Sequence, residues 1–330
     1  MDLLEIYHPQ VPEFLDDLAH TGVMERLRQV GMDCGCEYTS FPLFHRGRPS
    51  SRWEHSLGVG LIVWHFTGDR SQAAAGLLHD VSTPVFAHVV DFLHRDYVGQ
   101  SATEAGTEAI ILGSRQLRKA LERWDIRPED VVDYHRYPVA DNDVPGLSAD
   151  RLEYTLRNFL QYGVRSMEQA AAFYADLRVG RSERGEDELM FGEAELAADF
   201  ARAALVNARV YISDEDRFSM EYLARLLRRG LEAGVLEQAD LYTTEPQVIA
   251  RLEAAPETAA LWSAFRAFSR GLRAAERPQG GDWFQVSAKK RYIDPYTEGR
   301  GRASALSRAA GEDMARFLAT QFSVWISAEA

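Results

Sequence analysis

The segment Arg52-Trp-Glu-His55-Ser-Leu-Gly-Val59 places a histidine within an otherwise apolar stretch of helical periodicity. Two later segments, Leu77-Leu-His79-Asp80 and Ser148-Ala-Asp150, also carry ligand-type side chains among apolar neighbours. Imidazole nitrogens and carboxylate oxygens suit divalent metals, and two His with two Asp leave coordination positions open for water and substrate. We therefore predict a site for one divalent metal (Mn, Fe, Mg, Zn, Ni or Co), whose ligands are His55, His79, Asp80 and Asp150.

Helix signals around the His-Asp pair place further polar residues near it. Ser71 is the predicted N-cap of the helix that ends at this pair. Thr83 and Pro84 are predicted to begin the next helix as its N-cap and first residue. His88 and Asp91 would share one face of that helix and point back toward the metal, so both are candidate catalytic residues.

The third segment predicts a helix with a functional face. Ser148 can cap it, and Asp150, Tyr154 and Arg157 then lie on one face, followed by Asn158. This face offers a metal ligand, a hydroxyl and a guanidinium, which suits a phosphate pocket. We predict that Tyr154 and Arg157 bind the substrate.

In this order, the three segments resemble the HD-domain metal-dependent phosphohydrolases, and they look most like the deoxynucleotide triphosphohydrolase branch. That branch shows Arg-Phe-Glu-His-Ser-Leu-Gly-Val where this chain has residues 52–59. Its His-Asp-Leu-Gly-His-Gly-Pro-Phe-Ser-His segment, with an Asp three residues on, matches in length the stretch from His79 to Asp91. Its Asp-x-x-Asp-Tyr-x-x-Arg-Asp helix corresponds to Asp150-Arg-Leu-Glu-Tyr154-Thr-Leu-Arg157-Asn158. The resemblance covers roughly residues 41–165.

The resemblance also implies roles for individual residues. The four residues already named would be the metal ligands, and Arg52 and Tyr154 would contact the substrate. The metal would lower the pKa of a water molecule, which attacks phosphorus. The implied function is therefore the hydrolysis of a phosphate ester of a nucleotide or a related small metabolite.

Two histidines of the family pattern are replaced in this chain, because Thr83 and Thr103 occupy their positions. The second of these histidines belongs to a His-Glu pair that supplies the acid for the leaving group, and here only Glu104 is kept. His88, His94 and Glu104 are the candidate proton donors. Glu104 also completes a predicted helix-capping box, which explains this residue without catalysis.

Apolar residues recur every three or four positions over much of the chain, which predicts a mainly α fold. The stretches with this pattern are residues 103–124, 193–210, 219–234, 256–276 and 303–328. Extended pieces are expected only as minor β elements, near residues 34–44 and 283–293. The resemblance implies that an HD-domain helical bundle forms the core, with additional C-terminal helices.

Two polar stretches punctuated by glycine, residues 178–188 and 276–282, are predicted loops. The first divides the chain into a metal-binding core, residues 1–180, and a helical C-terminal region, residues 181–330, that packs on it. A chain of 330 residues, of which 46% are hydrophobic, can bury a large core.

The formal net charge of −13 argues against a nucleic acid polymer as partner, because groove binding needs a basic surface. A small phosphorylated substrate, which we expect to be a nucleotide, needs only a metal and a few cations in one cleft. The basic cluster Lys289-Lys290-Arg291 could supply them, although a solvated basic run also explains it. We predict that Lys290 binds phosphate.

The first ten residues carry two acids and no basic stretch, and the nearby apolar run of residues 58–64 is too short to span a bilayer. Cys34 and Cys36 are the only cysteines, and their one-residue separation would strain a disulfide. We expect a cytoplasmic chain with reduced thiols and no membrane partner.

Two other functions fit parts of the pattern. The first is a regulatory nucleotide-binding protein that keeps the metal site and has lost the proton donor, as Thr83 and Thr103 suggest. The second is a di-iron oxygenase, for which His94 and His135 would have to bind a second iron. The resemblance also implies that the chain assembles as a homo-oligomer.

Overall fold

The computed structural model describes residues 2–99 and 106–330, so Thr103 and Glu104 lie outside the described residues. Within the two ranges the chain forms sixteen α-helices and six short β-strands. The helices are α1 Leu3–Tyr7, α2 Glu13–Ala19, α3 Gly22–Glu25, α4 Arg52–Thr67, α5 Arg70–Leu78, α6 Val89–Leu93, α7 Thr107–Gly113, α8 Arg115–Arg123, α9 Ala149–Gln161, α10 Met167–Ala175, α11 Ala194–Val210, α12 Asp214–Glu232, α13 Glu245–Ala254, α14 Pro256–Ala267, α15 Ala303–Leu306 and α16 Arg308–Leu318. The strands are β1 Leu177–Arg181, β2 Asp187–Phe191, β3 Arg270–Ala274, β4 Tyr296–Thr297, β5 Gly301–Arg302 and β6 Trp325–Glu329.

The prediction of a mainly α fold with minor β elements is confirmed. The strands form one sheet in the order β1-β2-β4-β5 and a second sheet of β3 and β6. Strands β2 and β4 are parallel, and the other neighbouring pairs are antiparallel. Across the described ranges, we find no helix with the length and apolar character that crossing a bilayer requires.

Two predicted helices are shorter than their periodicity suggested. The stretch 256–276 is helical only to Ala267 and then forms β3, and the stretch 303–328 is helical only to Leu318 before β6. The two strands pair with each other, with Arg270 opposite Glu329. Each strand satisfies backbone groups of the other, and local periodicity does not reveal such a distant partner.

Three other local predictions were wrong. The stretch 178–188, predicted as a loop, forms the β1-β2 hairpin, and only its turn lies outside the strands. Residues 34–44, predicted to be extended, contain two short 3-10 turns instead. Helix α5 is capped by Asp69 and not by Ser71, because the Asp69 side chain accepts a hydrogen bond from the backbone N–H of Gln72.

Helices α4 and α5 pack closely because each presents a glycine to the other. A Cβ atom on Gly60 would lie 3.1 Å from Cβ of Leu77, and one on Gly76 would lie 3.1 Å from a methyl group of Val63. Ser51 begins α4 with a capping box that includes Glu54. The close approach brings a histidine of α4 and the end of α5 to the same place in the core.

Two hydrophobic clusters fill the interior, and each contains residues from both sides of position 180. The two predicted regions therefore share their cores. Phe200 of α11 illustrates this, because its ring centroid lies 5.6 Å from that of Phe159 and 5.3 Å from that of Phe191. A third ring, Phe173, lies 5.5 Å away, and Phe200 itself is fully buried.

Replacing Phe200 by Ala should lower the free energy of unfolding by about 3–5 kcal/mol, because it leaves a cavity among three aromatic rings. Denaturant unfolding followed by circular dichroism measures this change. The control is Val206→Ala in the same helix, where the side chain is 45% exposed. The control should change the free energy of unfolding by less than about 0.5 kcal/mol. Equal effects of the two substitutions would contradict the shared core.

Candidate metal centre

The four predicted ligand residues come from three different helices and their ends, and the structure brings them together. His55 Nε2 lies 3.0 Å from Asp150 Oδ1 and 3.8 Å from Asp80 Oδ2. His79 Nε2 lies 3.5 Å from Asp150 Oδ1 and 3.6 Å from Asp80 Oδ2. Ligand atoms of His55, His79 and Asp80 all lie within 4.8 Å of one another. Both imidazoles thus face both carboxylates.

In each imidazole, Nδ1 lies next to a hydrogen-bond acceptor, and this acceptor determines which ring nitrogen carries the proton. His55 Nδ1 lies 2.6 Å from Glu153 Oε2, and His79 Nδ1 lies 2.7 Å from the carbonyl oxygen of Gly76. Because both acceptors require a proton on Nδ1, each neutral ring presents an unprotonated Nε2 to the centre. Glu153 is itself held by Arg157, whose Nε donates to Oε1 at 2.9 Å.

Two donors orient Asp80. Arg52 donates to Oδ2 and the Thr83 hydroxyl donates to Oδ1, both at 2.8 Å. Burial would raise the pKa of Asp80, but the charge of Arg52, followed by the two histidines, lowers it below the usual range. Thr83 does not cap a helix as predicted, because the chain turns through residues 81–88 and α6 begins only at Val89.

In the absence of an ion, the carboxylates favour protons on both imidazoles. Burial alone would lower the pKa of His79, but Asp80 and Asp150 raise it to about 9. The pKa of His55 is also raised, because hydrogen bonds to Asp150 and Glu153 outweigh its burial. Burial would raise the pKa of Asp150, whereas the two histidines lower it well below its usual value. A bound cation would take the place of these protons.

This donor set fits a divalent metal. Imidazole nitrogen mixed with carboxylate oxygen suits Mn, Fe, Co, Ni and Zn, whereas Mg prefers oxygen alone. Metal-binding histidines usually donate their other N–H to a carboxylate or a carbonyl, and His55 and His79 each have such a partner. The predicted ligands His55, His79, Asp80 and Asp150 would hold the ion.

The centre opens into a cavity of about 180 Å³. Arg52, Tyr154 and Asn158 lie on its wall, and so do three other tyrosines, of which Tyr134 also packs against His79 with ring centroids 5.4 Å apart. The prediction that Arg52 and Tyr154 face the substrate site is consistent with these positions.

Residues far along the chain supply two cations to the cavity wall, Lys289 and Arg291. Their segment is fastened at both ends. Phe284 exchanges two backbone hydrogen bonds of 2.9 and 2.8 Å with Ile326 of β6. Ten residues later, the backbone N–H of Asp294 donates to the carbonyl of Pro145 at 2.9 Å. The C-terminal part of the chain thus forms one side of the cavity.

His88 lies between Asp91 and Arg291. Its Nδ1 is 3.0 Å from Asp91 Oδ2, and its Nε2 is 3.1 Å from a guanidinium nitrogen of Arg291. Burial, opposed by Asp91 and reinforced by Arg291 and Arg52, lowers the pKa of His88 to about 4. The ring is therefore neutral near pH 7, and it can accept a hydrogen bond from the guanidinium. This geometry favours a role in positioning Arg291 over the predicted role as proton donor.

Two predicted substrate-binding residues are not among those that line the cavity. Arg157 pairs with Glu153, four residues earlier on α9, and its guanidinium also donates to the backbone of Glu54 at 3.3 Å. Lys290 donates to the carbonyl of Leu318. Arg157 therefore contacts Glu153, the partner of His55, and Lys289 and Arg291 of the basic cluster line the cavity in place of Lys290.

The histidines proposed for a second iron lie elsewhere. His94 is exposed at the end of α6, and His135 is exposed with its Nδ1 3.2 Å from Asp141 Oδ2. Neither lines the cavity. Both cysteines are free, and burial raises the pKa of Cys34 to about 12, so this thiol stays protonated.

The residue that sequence reasoning missed at the centre is Glu153. Its signal was present, because Glu153 occupies the second acidic position of the Asp-x-x-Asp-Tyr pattern that begins at Asp150. Arg291 had no comparable signal. It belongs to a short basic run in an irregular segment, and only the folded chain shows which of its cations reaches the cavity.

Known proteins that are similar to this chain in sequence or in fold include two that are named as phosphohydrolases. The protein named uncharacterized protein YdhJ, from Bacillus subtilis, is 28% identical over 300 residues, which cover 89% of this chain and 88% of YdhJ. The metal-dependent phosphohydrolase cns2 of Cordyceps militaris is 27% identical over 194 residues, or 58% of this chain and 56% of cns2. A phosphohydrolase from Bacteroides thetaiotaomicron shares the fold, with a TM-score of 0.65, 15% identity, and coverage of 97% of this chain and 96% of the other.

No family model matches the chain. The name of the sequence relative agrees with the phosphohydrolase superfamily that the three motifs indicate, and the structural neighbour shares the fold. The relative's name, together with the His and Asp cluster, supports a divalent metal cofactor.

Gly58 makes room for the carboxylate that orients His55, because a Cβ atom at Gly58 would lie 2.6 Å from Glu153 Oε1. Gly58→Ala should displace Glu153 and weaken metal binding by about 10–100-fold, the usual effect of losing such a partner. Calorimetric titration with Mn or Zn measures the affinity. The control is Gly113→Ala, where an added Cβ meets nothing within 4 Å. Unchanged affinity in Gly58→Ala would contradict this role of Glu153.

Metal affinity should depend on pH. Because the pKa of His79 is raised to about 9 in the metal-free protein, the ion has to displace a proton at pH 7. The apparent affinity should therefore rise by at least about tenfold per pH unit below pH 9 and level off above it. Titration in two buffers of different ionisation enthalpy would show the released proton. An affinity independent of pH between 6 and 8 would rule out His79 as a ligand.

Proposed function

We propose that this chain is a metal-dependent phosphohydrolase of the HD type that cleaves a phosphate ester of a small metabolite, a nucleotide or a related compound. The observation that carries the proposal is the convergence of two oriented imidazoles and two carboxylates at a cavity whose wall also carries Lys289 and Arg291. The names of the sequence relative cns2 and of the structural neighbour support the same reaction class.

Different residues of the site would have different roles. His55, His79, Asp80 and Asp150 would hold the ion, and when bound the ion supplies Lewis acidity, which lowers the pKa of water and withdraws charge from a phosphoryl group. Lys289 and Arg291, on the cavity wall, would bind the phosphoryl oxygens, and His88 with Asp91 keeps the Arg291 guanidinium in place. Tyr154 orients the substrate. Its pKa is raised to about 12 by burial, so its hydroxyl stays protonated as a donor.

The site favours a small substrate within the nucleotide-like class that the motifs suggest. Pockets for drug-sized ligands span roughly 300–1,000 Å³, and the volume of about 180 Å³ here lies below that range. Although the motif pattern resembles the deoxynucleotide triphosphohydrolases, this volume suits a phosphomonoester better than a nucleoside triphosphate.

A binding protein without turnover is the second candidate. The observation that favours it is the protonation state of His88. With a pKa of about 4, His88 carries no transferable proton near neutral pH, and the chain has threonines at two histidine positions of the family pattern. Such a protein would bind a metal and an anion and release no phosphate.

The test combines metal content with phosphate release from a panel of nucleotides and simple phosphomonoesters, with Mn, Fe, Co, Ni, Zn or Mg added. We expect about one metal per chain and metal-dependent phosphate release. His79→Ala should lose the metal and at least about 100-fold of the activity, since removing a ligand costs more than removing its partner. The exposed His94 provides the control, because His94→Ala should leave metal content and activity unchanged.

The outcomes separate the candidates. Full metal content in His79→Ala would disprove the proposed centre. A metal-loaded protein that binds nucleotides and releases no phosphate from any ester would establish the binding protein. Two irons per chain would favour the oxygenase, although His94 and His135 both lie away from the cavity.

A further inference from the structure

Two aspartates that play no part in holding the metal lie on the same cavity wall as the centre. Asp33 belongs to the loop before the 3-10 turn of residues 36–38, and Asp216 lies in the first turn of α12. We call these two residues the acidic wall. They are distant in sequence, but the fold brings them close enough that Asp33, after burial, raises the pKa of Asp216.

The two carboxyl groups differ in their partners. Asp33 accepts hydrogen bonds from the Gln161 amide at 2.5 Å and from the Tyr162 hydroxyl at 3.5 Å. The Asp216 carboxyl, within the described residues, is contacted by a single weak donor, the thiol of Cys36 at 3.9 Å from Oδ1. Its second oxygen has no hydrogen-bond donor there. Asp216 is half-buried on the cavity wall, so this acceptor oxygen is left for a bound ligand that can donate a hydrogen bond to it.

The charges of the cavity set a limit on the substrate. Of the described residues on its wall, three carry cations and four are aspartates: Arg52, Lys289 and Arg291, against Asp33, Asp80, Asp150 and Asp216. A phosphoryl group carries a charge of about −1.5 to −2 at pH 7. One such group can be balanced by a divalent ion and the cations near it. Further phosphates would have to lie against the acidic wall, whose carboxyl groups supply no positive charge to balance them.

We propose that Asp216, supported by Asp33, selects the leaving group of the substrate by accepting hydrogen bonds from its hydroxyl or ring N–H groups. The preferred substrate is then the phosphomonoester of a hydroxylated compound, such as a sugar or a nucleoside, and not a nucleoside di- or triphosphate. This inference rests on the proposed phosphohydrolase function. Asp216 acts on specificity, and the chemical step stays with the metal centre.

The protonation of the acidic wall is consistent with this role. Burial, followed by the proximity of Asp33, raises the pKa of Asp216 well above its usual value. Burial also raises the pKa of Asp33, despite its hydrogen bonds from Gln161 and Tyr162. A carboxyl group that is neutral for part of the time can both donate to and accept from a hydroxyl group. Such a wall suits uncharged hydroxyl groups better than anions.

The experiment compares two phosphomonoesters with five-carbon leaving groups, a pentose 5-phosphate, which carries hydroxyl groups, and n-pentyl phosphate, which carries none, with the metal-loaded full chain. The wild-type protein should prefer the pentose phosphate in kcat/KM, and it should prefer a nucleoside 5′-monophosphate to the corresponding triphosphate. Asp216→Leu should lower kcat/KM for the pentose phosphate by about 10–100-fold, the effect of an unmet hydrogen bond in a specific pocket. It should leave n-pentyl phosphate within about twofold of wild type.

Two further variants test whether the effect depends on the Asp216 side chain itself. Asp216→Asn keeps the shape and one acceptor, so it should restore part of the preference for the pentose phosphate. Glu232→Gln, exposed at the far end of the same helix, should leave both substrates unchanged. Metal content and thermal unfolding, measured for every variant, separate a loss of fold from a loss of selectivity.

Three results would overturn the inference. A wild-type protein that hydrolyses both esters equally well would refute selection by the acidic wall and leave the phosphohydrolase intact. Equal losses on both esters in Asp216→Leu, with a full metal content, would show that Asp216 serves the chemistry. Absence of phosphate release from every ester would refute the phosphohydrolase, and this inference with it.

Discussion

The hydrogen bond between His55 Nδ1 and Glu153 Oε2 is the contact on which the site depends. The Glu153 side chain is completely buried, so its charge has to be neutralised inside the protein. His55 and Arg157 share that task, and their attraction outweighs burial and keeps the pKa of Glu153 low. Because Gly58 has no side chain, α4 and α9 approach closely enough for the contact to form. The same bond that stabilises a buried carboxylate turns Nε2 of His55 toward the metal.

Two arginines place positive charge at the cavity next to this contact. Arg52 neutralises Asp80 without occupying the centre, and Arg291 reaches the cavity from the C-terminal segment with His88 behind it. Arg52 and Arg291 therefore bring positive charge to the cavity from two parts of the chain. A hydrogen-bond partner fixes the orientation of each guanidinium. Such preorganisation lowers the cost of binding an anion, because the side chains lose little additional freedom.

Local patterns in the sequence predicted most of the helices and the residues that meet at the centre. Helix caps and periodicity act over a few residues, so Ser148 and the stretch around His55 could be interpreted directly. The pairing of β3 with β6 could not be predicted from such local patterns, because it joins segments more than fifty residues apart. Arg157 was assigned to the substrate since it follows Asp150 on one face of α9, yet Glu153 lies one turn before it and binds it first.

The way in which the cavity is closed has a consequence for the synthesis of the chain. All the proposed ligand residues have been made once the ribosome passes α9, whereas Ile326, which fastens Phe284 and hence the segment of Arg291, is made much later. The proposed metal ligands and the anchor of the cationic segment are therefore synthesised at different times. A chain truncated before β6 would keep every ligand and lose one anchor of its cationic wall. The two sides of the pocket thus depend on parts of the chain that leave the ribosome at different stages of translation.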